Sequence, residues 1–290
     1  MASIFDILAL VVREAFSGPN LARQPEPSEA MADPRQVKAF HEQGSADGAL
    51  LPIYRFNALA SSHLIPDGGM LVDLGSGTAQ YLAYIARHRP DIRIVGYDLS
   101  ESMVSVGNEA LRHAGLDGRV QLRLGDMTDF ADRAPGEIDM VSSVFSLHHL
   151  PTIHHLNRCS IELAKVRQKT GCAIWVFDHA RPRHPLTAER FPEIFTPKAS
   201  TDFRRDSRNS LIASWSFTEL SQALDQGFNP GCRHVLSKYM QLYQAHWSER
   251  EAGRKASKSL WFEGVEPSDE VLREVKKLRS IFPAVALDSR

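Results

Sequence analysis

From about residue 65 onward, short apolar runs alternate with stretches of helical period. "GMLVDLG" runs into "AQYLAYIARHR" and "RIVGYDLS" into "ESMVSVGNEALRHAG"; "VQLRLGDM" and "IDMVSSVFSLHHL" follow, then "TIHHLNRCSIELAKVRQ" and "CAIWVFDH". Nearly uniform apolar strands separated by amphipathic helices predict a parallel sheet with helices on both faces. Gly115, Gly118 and Gly171 fall where the intervening helices should stop.

The flanks follow a different pattern. Ile4, Ile7, Leu8, Val11 and Val12 form a helical stripe near the N-terminus, and the Pro-, Ser- and charge-rich "SGPNLARQPEPSEAMADPRQ" after it reads as a linker. Order should resume near Pro34, with one or two helices ending before Pro66. Beyond Asp178 the alternation fails in a proline- and arginine-rich insertion carrying short helices. Next comes a helix with Ser216 as N-cap and Glu219 as its capping-box partner. "CRHVLSKYMQLYQAHW" is strand material, and a late helix is capped near Ser268. The expected organisation is residues 1–33 as amphipathic helix and linker, 34–247 as the main domain and 248–290 as a helical tail. Within the main domain, 65–180 is the half that binds a nucleotide and 180–215 the insertion.

The N-terminal apolar run lacks a basic leader, is interrupted by Asp6 and is too short to span a bilayer, so its expected role is packing on its own domain or on a second copy in a homodimer. A formal net charge of -1 with 24% charged residues gives no global basic field, which argues against nucleic acid as the partner. Cys159, Cys172 and Cys232 are widely spaced and odd in number, which argues against a disulfide framework or a structural zinc site and fits a reducing, cytoplasmic setting.

Candidate chemistry centres on "LVDLGSGTAQYLAYIARHRPDIRIVGYDLS". A strand turning sharply through glycines into a helix lets an adenosine ligand approach the backbone closely. A dinucleotide fingerprint wants a third glycine and no nearby anion to repel a pyrophosphate. Here Gly75-Ser76-Gly77-Thr78-Ala79-Gln80 lacks that glycine, and Asp73 stands at the strand end, where a carboxylate suits an ammonium group better than a phosphate. Asp98, ending the second strand, can accept from ribose hydroxyls in either ligand class. At the end of the third strand, Asp126 can take an adenine amino group while the Met127 thioether packs on the ring.

Taken together, "VDLGSGTAQ", "GYDLSESMV", "LGDMTDF" and "DMVSSVFSLHHLP" resemble, in order and spacing, the motifs of class I S-adenosylmethionine-dependent methyltransferases of the type 11 and type 25 methyltransferase-domain group. The resemblance implies an α/β, Rossmann-like, doubly wound and mostly parallel seven-stranded sheet with helices on both faces. It also implies an antiparallel final strand in "SKYMQLYQAHW", an N-terminal helical lid around Phe40 to Phe56, and the insertion after the fifth strand. Carried over by position, Asp73, Gly75, Ser76 and Gly77 would hold the methionine part of S-adenosylmethionine and Asp98 the ribose. Leu99 and Met103 would flank the adenine, Asp126 and Met127 would bind its edge and face, and Ser143 and Phe145 would lie near the methyl donor. The product would be S-adenosylhomocysteine.

Methyl transfer from a sulfonium needs alignment and exclusion of water more than a conspicuous catalytic apparatus. A base matters only for an acceptor that must lose a proton, and His149 or His148 is placed for that role, with a plain structural turn as the alternative. Tyr54, Asp178 and His179 are expected to shape the acceptor site. Six of the twelve histidines lie between His148 and His184, but they lack the helical spacing of a metal site, and none is expected. Lys198, Arg204, Arg205 and Arg208 form either an anion site or a solvated charge run. After the fourth strand, the turn used by methylases of nucleobase or glutamine amines is absent, which leaves a small-molecule acceptor methylated on O, N, S or C. The competing readings are an NAD-dependent oxidoreductase on a similar sheet and a family member that binds the cofactor without transferring methyl.

Overall fold

The computed structural model describes residues 4–28, 31, 33–44, 48–227, 232–251 and 268–285. In chain order the first elements are α1 (Ile4–Phe16), α2 (Pro34–Gln43), α3 (Leu51–Ser61), β1 (Met70–Leu74), α4 (Gln80–His88) and β2 (Arg93–Asp98). They are followed by α5 (Glu101–His113), β3 (Val120–Leu124), β4 (Met140–Val144), α6 (Ile153–Thr170) and β5 (Ala173–His179). The insertion after β5 contains α7 (Pro185–Phe195) and α8 (Thr201–Ala213), before α9 (Phe217–Gly227), β6 (Arg233–Leu236), β7 (Tyr243–Ser248) and α10 (Asp269–Ile281). Residues 252–267 of the expected C-terminal tail, Phe228 at the end of the expected helix before β6, and positions 29, 30 and 32 of the expected linker lie outside the described residues.

The sheet is seven-stranded in the order β3-β2-β1-β4-β5-β7-β6. Pairings among β1 to β5 are parallel, whereas β7 runs antiparallel to both β5 and β6. The order reverses between β1 and β4, and in open α/β sheets the crevice beyond the carboxyl ends at such a switch point is where ligands bind. Side chains alternate between two cores. Leu71, Ile94, Met140, Trp175 and Phe177 pack with α3, α4 and Phe282, whereas Val72, Leu74, Val141, Ile174 and Val176 face α6 and α9. Trp175 Nε1 donates to Asn57 Oδ1 at 2.9 Å, tying α3 to β5 beneath the crevice.

Local signals act where the sequence placed them. The Ser216 and Glu219 backbone amides each donate to the other residue's side chain, at 2.8 and 3.2 Å. Ser268 Oγ caps α10, and Gly171 ends α6 in the left-handed region at φ 66. In the insertion, Arg205 pairs with Asp202 and Arg208 with Glu189, so these two cations answer acids of the insertion itself.

Residues 17–28 carry no regular structure, as a connecting segment should, yet they lie as a strap across the mouth of the sheet. Leu21 N donates to Pro182 O and Gln24 N to Ile212 O. Arg23 donates to the carbonyls of Ala213, Pro151, Leu150 and His148 at 2.6–3.0 Å, and its guanidinium lies 3.6 Å from the Trp215 ring centroid. Upstream, the buried Glu14 of α1 accepts from Arg183 N and His184 N, fastening α1 to the start of the insertion. Among the described residues, no helix is long and apolar enough to cross a membrane.

Candidate active site

The glycine turn after β1 takes a left-handed backbone conformation that glycine adopts without strain and that leaves no room for a side chain. Gly75 and Gly77 have φ of 69 and 53, and a Cβ on Gly75 would sit 2.3 Å from Ser146 Cβ. A Cβ on Gly77 would instead approach Phe40 of α2 at 3.2 Å, so the helix expected as a lid does lie over the turn. Gly75 N and Ser76 N donate to Tyr97 O at 2.8 and 3.0 Å, fixing the turn to the end of β2.

Asp98 completes this stitching. Its Oδ2 accepts from Gly77 N and its Oδ1 from Ser100 N, both at 2.8 Å. Each oxygen keeps a further lone pair for a ligand hydroxyl. Asp73 is 2% exposed and accepts a 2.5 Å hydrogen bond from Ser142 Oγ. Burial pushes its carboxyl up to about 7 against the opposing pull of that bond and of Ser76. A carboxylate so poorly solvated is poised for a cationic partner. Thr78 Oγ1, also buried, has no hydrogen-bond partner among the described residues.

A cavity beside the turn is lined by Gly75, Leu99, Gly125, Asp126, Met127 and Thr128, and on its other side by His149, Leu150, Pro151, His155 and Arg158. Leu99 is 45% exposed, Asp126 Oδ1 accepts from Thr128 N, and a Cβ on Gly75 would come within 3.1 Å of Met127 Cε. Of the residues assigned to an adenine, Leu99, Asp126 and Met127 therefore converge. Met103 does not line this cavity: it is 6% exposed in the first turn of α5, where its amide donates to the Ser100 cap.

Beyond β4, Ser143 Oγ and Ser146 Oγ are 2.5 Å apart, and Ser146 Oγ donates to Leu74 O, which locks the end of β4 to β1. Phe145 has φ 55 and stacks on His179 at 4.5 Å and 18°, and Tyr243 in turn stacks on His179 at 5.2 Å and 26°. Tyr54, expected near the acceptor, is buried against Tyr81, and that burial, with a smaller push from the nearby charge of Asp73, raises its phenol.

His148 and Asp178 form a buried pair. His148 Nδ1 lies 2.7 Å from Asp178 Oδ1, and His148 N donates to Asp178 Oδ2 at 3.1 Å. Burial works against the imidazolium, but Asp178 outweighs it and His148 is raised above its ordinary value. His149 and His179 go the other way, pushed down to about 3 by burial and by His148, and each has a buried Nδ1 without a hydrogen-bond partner among the described residues. Asp178, expected to shape the acceptor site, thus acts on His148. Glu26 was not foreseen: it sits in the strap, accepts from Ser210 Oγ at 2.8 Å and lies close to His148 and His149. A glutamate in a proline-rich segment gives no periodic signal, and only the fold brings it here.

Residues 71–171 match the family described as "Methyltransferase domain". The chain is 30% identical over 123 residues to a demethylmenaquinone methyltransferase of a Roseiflexus species, covering 42% of this chain and 47% of that protein. It is also 30% identical over 129 residues to a ubiquinone biosynthesis O-methyltransferase of Methylococcus capsulatus, covering 43% and 53%. The chain thus spans about half the length of these relatives. In fold it is similar to the plantazolicin methyltransferase BpumL in complex with SAH, with a TM-score of 0.55 at 13% identity over 85% of this chain and 96% of that one. With its strand order and glycine turn, the chain is similar over residues 71–171 to the methyltransferase domain of the class I S-adenosylmethionine-dependent fold.

Proposed function

We propose that the protein transfers a methyl group from S-adenosylmethionine to a small aromatic acceptor. The observation that carries this reading is Asp73: a buried carboxylate at the foot of a glycine turn suits the ammonium of the aminocarboxypropyl arm and would repel the pyrophosphate of NAD. When bound, S-adenosylmethionine supplies an electrophilic methyl for in-line displacement. Asp98 holds the ribose hydroxyls, while Leu99, Asp126 and Met127 receive the adenine. Ser143 and Ser146 fix the floor beneath the donor by their mutual bond and the bond to Leu74 O.

Acceptor activation falls to His148. Asp178 engages its Nδ1, which leaves a basic Nε2 to accept the proton of the acceptor. The stacked Phe145, His179 and Tyr243 rings favour a planar acceptor, in keeping with the quinone-pathway names of two relatives. The exposed Leu8, Val12 and Phe16 of α1 support self-association into a homodimer.

Equilibrium titration with S-adenosylhomocysteine and, separately, with NAD tests the reading. Saturable micromolar binding of the first and none of the second is expected; the reverse would establish the oxidoreductase alternative.

A further inference from the structure

One donor atom from each of Glu26, His148 and His149 lies within 4.8 Å of the other two. These residues come from the strap and from the turn after β4, and Arg23 helps to bring them together by pinning the strap to the carbonyls of His148, Leu150 and Pro151. The cluster carries the marks of a ligand set. Asp178 occupies Nδ1 of His148, which fixes the ring and raises the basicity of the opposite nitrogen, the carboxylate–histidine arrangement common behind metal ligands. Ser210 orients the Glu26 carboxylate in the same way. The buried Nδ1 of His149 has no hydrogen-bond partner among the described residues, and such an atom is costly unless something binds it.

We propose that Glu26, His148 and His149 hold a divalent transition-metal cation. Two imidazoles and one carboxylate suit zinc, cobalt or nickel better than magnesium or calcium, which prefer all-oxygen shells. Three protein ligands are the number found in sites that keep a fourth position open. His149 also lines the cavity that holds Met127 and Gly75, so the open position adjoins the donor site and can take a hydroxyl, thiol or carboxylate of the acceptor. With the cation bound, the basic nitrogen of His148 would be a ligand, and activation of the acceptor would pass from that nitrogen to the cation's open position. The expectation of no metal rested on the missing helical spacing, and the third ligand comes from a segment that spacing rules do not reach.

This role for the metal rests on the methyltransferase reading, but its binding does not. Tag-free protein is incubated with zinc, desalted and assayed for metal, and cobalt is titrated while visible absorption is followed. The expected result is about one retained zinc per chain and the visible bands of four-coordinate cobalt. Glu26→Gln and His149→Ala should each weaken binding by about tenfold or more, and Asp178→Asn by about 10–100-fold. Glu26→Gln should keep its melting temperature and its affinity for S-adenosylhomocysteine, which separates loss of the metal from loss of the fold. No retained metal, or unchanged affinity in both Glu26→Gln and His149→Ala, would overturn the proposal. Binding of S-adenosylhomocysteine without metal would leave the methyltransferase reading standing; metal retention without it would do the opposite.

Discussion

Asp178 Oδ1 lies 2.7 Å from His148 Nδ1, and both side chains are almost fully buried at the carboxyl edge of the sheet. Asp178→Asn preserves the shape but puts an amide where a carboxylate fixed the tautomer. Methyl transfer should fall by about 10²-fold or more, while affinity for S-adenosylhomocysteine changes little. The check is label transferred from methyl-labelled S-adenosylmethionine to the acceptor that the wild-type protein methylates, run beside a binding isotherm.

Asp73 sets a pH dependence. Burial holds its carboxyl at about 7, above the ordinary 3.8, so the folded state binds a proton that the unfolded state releases between those values. The cost of the buried charge is therefore full above pH 7 and is relieved as pH falls towards 4. A bound ammonium requires the ionised form. Affinity for S-adenosylhomocysteine should weaken by up to about tenfold per pH unit below 7, with proton release visible as a buffer-dependent heat of binding. Asp73→Asn should lose that dependence and most of the affinity, yet unfold in urea at pH 8 no earlier than wild type.

Much of the fold was legible in the sequence because it depends on period. The strands Met70–Leu74, Arg93–Asp98 and Ala173–His179 are mostly apolar and, apart from their ends, buried on both faces, and the Ser216–Glu219 box is a local hydrogen-bond pattern. The glycine turn was legible for the same local reason. What stayed hidden depends on distant contacts: Ser142 as the partner of Asp73, Asp178 as the partner of His148, and Glu26 in the strap. Met103, which the resemblance puts beside the adenine, is buried in the first turn of α5 behind the Ser100 cap.

Arg23 is the fastening of the strap. Arg23→Ala removes donors to four carbonyls and the stack on Trp215, at a cost of about 2–4 kcal/mol. Limited proteolysis should then cut within residues 17–28 before the sheet domain unfolds. Cleavage no faster than in wild type would show that other contacts hold the strap.

Along α1, Leu8 is 51%, Val12 54% and Phe16 87% exposed, whereas Leu10 is buried. The homodimer reading predicts that Leu8→Asp combined with Val12→Asp lowers the mass measured by light scattering from that of a dimer to that of a monomer. A wild-type mass equal to one chain would leave α1 a packing element of its own domain.

The central claim is that the glycine turn and Asp98 hold S-adenosylmethionine. Calorimetric titration of the wild-type protein and of Asp98→Ala with S-adenosylhomocysteine tests it most directly. One saturable site of micromolar strength is expected in the wild type, and a loss of affinity of about tenfold or more in Asp98→Ala, which removes the carboxylate that would accept from the ribose hydroxyls. Absence of binding to the wild-type protein, or equal affinity in the variant, would contradict it.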